Sequence, residues 1–186
     1  MKMKVIGISA NGTGAGKSTV AKMLAGELCE FDPGFIAVHI DSFGGLLKEI
    51  AKNEKGWDGQ KGPAGRSLLT SLADELKAQH GDDFFVRHMQ KKWMSPVMDG
   101  RIALIIDDVR FFHPEVEWLT TIGAKIIRVE SPQAQASTHN SENSLSVADH
   151  RQYFADVICN EHNCGLDALR KRVKIFVDNH KRWLSK

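Results

Sequence analysis

Val5-Ile6-Gly7-Ile8-Ser9-Ala10-Asn11-Gly12-Thr13-Gly14-Ala15-Gly16-Lys17-Ser18-Thr19 joins an apolar run to a glycine-rich turn that ends on a lysine and two hydroxyls. Beyond it, Val20, Met23, Leu24 and Leu28 recur at helical spacing. The stretch therefore reads as strand, loop and helix.

In that setting the loop matches the Walker A pattern, which has a mechanism. Successive backbone N–H groups and the helix N-terminus hold phosphate oxygens, the lysine reaches the terminal phosphates, and the following hydroxyl binds magnesium. Asn11, Gly12, Thr13, Gly14, Ala15, Gly16, Lys17, Ser18 and Thr19 are the expected ATP-binding set, with Lys17 catalytic and Ser18 on Mg2+. One position departs, because Asn11 stands where the pattern has its first glycine. Asn tolerates positive φ better than other non-glycine residues, and Gly12 and Gly14 keep the loop permissive.

Composition narrows the function. A chain of 186 residues with 42% hydrophobic and 26% charged residues is expected to form one domain with a substantial core. A net charge of +2 calls for neither a nucleic-acid nor a membrane partner, whereas a small anionic ligand needs only a local cationic site. Cys29, Cys159 and Cys164 match no disulfide framework or zinc spacing. The N-terminal residues lack signal-peptide character and no run reaches membrane-spanning length, so a cytoplasmic protein is expected, as a monomer or homodimer.

Working outward, residues 35–40 form a short apolar strand ending at Asp41. Leu46, Leu47 and Ile50 suggest a short helix, interrupted over 53–65 by glycines and a proline that read as a flexible loop. Leu68, Leu69, Leu72 and Leu76 mark another helix, and a further helix follows Gly81-Asp82-Asp83. Ile102-Ala103-Leu104-Ile105-Ile106 is a buried strand closing on Asp107-Asp108-Val109-Arg110, and strands are also expected over 124–129 and 155–159. Residues 166–184 read as one amphipathic helix with a solvated basic face. Strands alternating with helices imply a five-stranded parallel sheet flanked by helices, with ligands at the carboxyl ends of the strands. The polar segment 131–150 is expected to be a mobile lid.

An apolar strand ending in acid is the Walker B pattern, so Asp107 or Asp108 is the second magnesium anchor. Phosphoryl transfer also needs positive groups around the transferring phosphoryl. Arg110, Arg66, Arg128 and Arg151 are the candidates, with a plain surface role the alternative for Arg128 and Arg151.

Asp108-Val109-Arg110-Phe111, followed by Pro114, Glu115, Glu117, Trp118, Gly123 and Ile127-Arg128-Val129, resembles the deoxynucleoside monophosphate kinases of phages and their bacterial relatives. Gly65-Arg66-Ser67-Leu68-Leu69, His139-x-Ser141-Glu142 and Asp156-x-Ile158-x-Asn160 resemble further motifs of that family, in order along nearly the whole chain. The resemblance implies an α/β P-loop kinase fold over 1–186, with an acceptor-binding insert at about 41–98 and the lid at about 131–150. It implies transfer of phosphate from ATP, with Mg2+, to a (deoxy)nucleoside monophosphate. Arg66 and Arg110 would grip the acceptor phosphate, Asp41 and Lys48 would lie on the acceptor side, and Asn160 would lie near adenine. Arg110, Asp108 and Arg151 would join Lys17 in catalysis.

Two departures keep alternatives open. The segment 131–150 carries no arginine, where nucleotide kinases usually bring lid arginines over the transferring phosphate, and this leaves a nucleotide-binding protein with weak turnover as one reading. Asp41-Ser42-Phe43 resembles uridine kinase-like enzymes, in which such an aspartate serves as base, so a hydroxyl acceptor is another.

Overall fold

The computed structural model describes residues 3–31, 37–60, 62–94, 102–135, 145, 147–161 and 164–186. Five strands form one all-parallel sheet in the order β2-β3-β1-β4-β5, flanked by helices: β1 (Lys4–Ala10), β2 (Ala37–Asp41), β3 (Ile102–Ile106), β4 (Lys125–Glu130) and β5 (Asp156–Cys159). With the glycine-rich loop leading from the central strand β1 into helix α1 (Lys17–Phe31), this is the P-loop kinase architecture expected from the sequence. The chain divides into two compact units, residues 1–41 with 99–186, and residues 42–98.

The first unit is built on strands that are apolar throughout. All five residues of β3 are buried, as are Val5 to Ala10 of β1, which is what a strand covered on both faces requires. On one face Ile6, Ile8, Ile127 and Val129 meet Val20, Leu24 and Leu28 of α1 and Val173, Phe176 and Val177 of α7 (Gly165–Asn179). On the other face the sheet comes so close to its cover that Gly7 has no room for a side chain. A Cβ there would lie 2.9 Å from Leu119 of α5 (Glu117–Thr121) and 2.9 Å from Val109.

The expected single C-terminal helix is two, α7 and α8 (Lys181–Leu184), separated at His180. Phe176 and Leu184 are both fully buried, so the apolar stripe continues across the break. Arg170, Lys171, Lys174 and Lys181 are exposed, as a solvated basic face requires.

The second unit packs α2 (Gly44–Lys55), α3 (Pro63–His80) and α4 (Phe84–Trp93). Its core holds Ala51, Trp57 and Leu72, with Leu47, Ile50, Leu68, Leu69 and Leu76 against them. The loop expected over 53–65 is shorter and more fastened than its composition suggests. Helix α2 runs on to Lys55 and ends at Gly56 in the left-handed region, φ 67°, while α3 begins at Pro63, where a missing N–H costs a helix nothing. Between them Trp57 is buried, its Nε1 donating to the Gln60 carbonyl at 2.9 Å.

The expected lid falls largely outside the described residues, which here are 131–135, 145 and 147–150, the last forming the helical turn α6 (Val147–His150). His139, Ser141 and Glu142 of the family-like motif also lie outside them. Among the described residues no helix is long and apolar enough to cross a membrane.

Candidate active site

The P-loop owes its shape to two glycines and to braces from neighbouring strands. Gly14 and Gly16 hold φ of 83° and 99°, a region that L side chains rarely adopt. The first helical bond is Val20 N–H to Gly16 O at 2.9 Å, so the N–H groups of Lys17, Ser18 and Thr19 lie ahead of the ladder of α1 at the positive end of its dipole. Lys17 Nζ reaches back to the Gly12 carbonyl at 3.3 Å.

Asn11 makes no use of its tolerance of positive φ. Among the described residues no non-glycine has positive φ. The Asn11 amide instead donates to Ser131 O at 3.0 Å and accepts from Ser131 N–H at 3.1 Å, while its own N–H bonds Val129 O at 3.2 Å. Its side chain is thus engaged with the end of β4. Thr13 is likewise paired with Gln135 through both backbone groups, at 3.2 and 2.9 Å, and a Cβ on Gly12 would lie 2.5 Å from Gln135 O.

Asn160 acts as a brace as well. Nearly buried, it donates from Nδ2 to Ala15 O at 2.9 Å, and a Cβ on Gly16 would lie 2.5 Å from that nitrogen. Its contact is with the loop that would hold the phosphates.

The two acids after β3 separate clearly. Ser18 Oγ lies 3.1 Å from Asp107 Oδ2, uniting the hydroxyl of the Walker A motif with one carboxylate of the Walker B strand. A hydroxyl beside a carboxylate suits a small, hard divalent cation, which prefers a few oxygen ligands and retains its waters. Asp108 is instead buried, in electrostatic contact with the buried Glu115. Glu115 accepts the backbone N–H groups of Arg110 at 2.6 Å and Phe111 at 3.1 Å, fixing the turn that carries Arg110. Burial, reinforced by the charge of Asp108, pushes the Glu115 carboxyl up to about 8 despite those two bonds.

At the carboxyl ends of β1, β3 and β4 lies a small pocket lined by Ser9, Ala10, Lys17, Val109, Arg110, Arg128 and Leu145. Three cationic side chains meet there. Arg110 is exposed at the pocket edge, whereas Arg128 is buried, with Nη1 donating to Ser9 Oγ at 2.9 Å. Burial lowers the Arg128 pKa, and Glu130, with an oxygen 3.7 Å from Nε, opposes that shift. The surface role weighed for Arg128 does not hold. The signal was a single arginine among apolar residues in a strand buried on both faces, where a cation needs a polar feature to meet. Glu115 was visible only as one of two acids in the helical stretch after Arg110.

The remaining candidates are spread more widely. Asp41 ends β2 beside β3, its carbonyl accepting the N–H of Asp107 at 3.0 Å. Arg151 is exposed and uses one N–H to cap Phe154 O at 2.7 Å. Lys48 and Arg66 belong to the second unit, half-buried on α2 and exposed on α3 respectively. Thr19 occupies the first turn of α1.

No protein-family model and no curated protein matches the sequence. Among solved structures the chain is similar to a thymidylate kinase from Ehrlichia chaffeensis, at 11% identity over 96% of this chain and 99% of that one, TM-score 0.45. It is also similar to a shikimate kinase from Bacteroides thetaiotaomicron, at 13% identity over 98% of this chain and 99% of that one, TM-score 0.40.

Proposed function

We propose that this chain is an ATP- and Mg2+-dependent P-loop kinase that phosphorylates a nucleoside monophosphate, deoxynucleotides foremost, to the diphosphate. The observation that carries the reading is the Ser18–Asp107 contact at the mouth of α1, next to a pocket lined by Lys17, Arg110 and Arg128. A metal-binding oxygen pair beside a cluster of positive charge is what transfer of a phosphoryl group between two anionic partners needs.

The backbone N–H groups of 14–19 and Lys17 hold the ATP phosphates, while Ser18 and Asp107 hold the magnesium. When bound, that ion would supply positive charge against the phosphate oxygens. By the family resemblance Arg110 and Arg66 would each serve the acceptor phosphate, and Asp41 and Lys48 would lie on the acceptor side. An acceptor phosphate is already anionic near neutral pH, its second pKa being about 6, so no residue is needed to remove a proton from it. The protein works as a cytoplasmic monomer or homodimer.

The test is ADP release with ATP and Mg2+ across a panel of dNMPs, NMPs and nucleosides, for the parent and Asp41→Asn. A nucleotide kinase keeps turnover at saturating acceptor within roughly tenfold in Asp41→Asn. A hydroxyl kinase using Asp41 as base accepts nucleosides and loses about 100- to 10,000-fold in kcat. ATP binding without ADP release for any acceptor would instead favour a nucleotide-binding protein with little turnover.

A further inference from the structure

We propose that Arg128, a guanidinium held inside the sheet, is a direct ligand of the transferred phosphoryl group, delivering from strand β4 the positive charge that segment 131–150 has no arginine to supply. The inference rests on the kinase reading above and adds a residue to it.

A buried guanidinium carries a large desolvation cost, repaid only by good partners for its five N–H donors. The partners seen here are few. Nη1 meets the neutral hydroxyl of Ser9 at 2.9 Å, and the guanidinium carbon lies 5.9 Å from the Phe154 ring centre. The carboxylate of partly exposed Glu130 forms a loose ion pair 3.7 Å from Nε, and among the described residues Nε has no hydrogen-bond partner. Such an under-satisfied cation, 4% exposed, costs stability unless a further acceptor joins it. It gains its partners if an anion enters the pocket it lines with Lys17 and Arg110, and among the described residues no carboxylate lines that pocket.

Its placement suits the chemistry. Ser9 and Arg128 are register partners in β1 and β4, and Ser9 stands two residues before Asn11, where the P-loop motif begins. A group on a central strand is held more firmly than one on a loop. In the transfer, the bond from the γ-phosphorus to the bridging β-phosphate oxygen breaks, leaving its electron pair on ADP, and an acceptor phosphate oxygen bonds to that phosphorus. Arg128 gives and takes no proton. It donates hydrogen bonds to the equatorial oxygens, where charge is spread in the transition state. Positive charge is then in place from the sheet side.

The test combines Arg128→Lys and Arg128→Gln kinetics with 15N-arginine spectra of the parent protein, in which the Arg128 Nε–H is assigned through bonds. Arg128→Gln should lose about 100-fold or more in kcat, and Arg128→Lys less, with the KM for ATP within about threefold in both. Magnesium tripolyphosphate added to the parent should shift the Nε–H resonance, a change that a purely structural arginine would not show and that needs no variant to fold. Unchanged kcat in folded variants, or a resonance that saturating tripolyphosphate leaves in place, overturns the proposal. If the parent releases no ADP with any acceptor the kinase reading fails by itself, and the resonance alone then decides whether Arg128 is a phosphoryl ligand.

Discussion

Ser18 Oγ donates to Asp107 Oδ2 across 3.1 Å, joining the first turn of α1 to the end of β3 between residues 89 positions apart. Asp107→Asn should therefore raise the Mg2+ concentration for half-maximal turnover by about tenfold or more, because a neutral amide is a poor ligand for a hard dication. Asp108→Asn should leave that requirement near the parent's, since Asp108 is buried and interacts electrostatically with Glu115. Magnesium titrations of ADP release distinguish the two, and equal shifts would return Asp108 to the metal site.

Lys17→Ala should abolish phosphoryl transfer while leaving the melting temperature within about 3 °C of the parent. The side chain donates to a loop carbonyl at 3.3 Å and lies outside the hydrophobic core, and in the proposed function its charge serves phosphates. Turnover at the parent rate would disprove the P-loop assignment.

Glu115 links stability to pH. Its carboxyl holds a proton up to about 8 in the fold, against an ordinary value of 4.5. Between those values the native state binds a proton that the unfolded chain has released, so this group's contribution to stability falls as pH rises through that window and is constant below it. Glu115→Gln retains an oxygen to accept the Arg110 and Phe111 N–H groups but cannot ionise. The parent should lose on the order of 5 °C or more in melting temperature between pH 5 and 8 relative to the variant. Parallel melting curves would show that the carboxyl titrates normally.

Gly16→Ala should cost about 1 to 3 kcal/mol and abolish ATP binding, since it forces a side chain to φ 99° and into Asn160 Nδ2. Asn160→Ala should be milder, about 1 kcal/mol, and should weaken ATP binding by loosening the Ala15 carbonyl. Denaturant melts and ATP titrations measure both effects.

How much of this was legible in the sequence depended on whether the deciding contact was local. The strands were, because a run such as Ile102–Ile106 has only one comfortable place, between two covered faces. The break at His180 was not. The apolar stripe passes through it unaltered, and the deciding features are backbone ones: a φ of −108° and N–H bonds from His180 to both Phe176 O and Val177 O. The loop after α2 was misread because Trp57, which anchors it, sits among glycines and charges that suggest freedom. In the site, the P-loop and the acids after β3 announced themselves by local spacing. The pairing of Ser18 with Asp107, the bracing role of Asn160 and the burial of Arg128 each arise between residues far apart in the chain, where periodicity carries no information.

Asn11 shows what an apparent defect in a motif can be. A primary amide has the donor and acceptor of a peptide unit, and Asn11 presents both to the peptide groups of one residue, Ser131, so its side chain serves as a short surrogate strand prolonging the sheet past Val129. The usual glycine supplies freedom, and this chain supplies a tether. Asn11→Gly, which would perfect the consensus on paper, would strip both bonds from the backbone of a residue that is 2% exposed and unmoor the loop it was meant to repair.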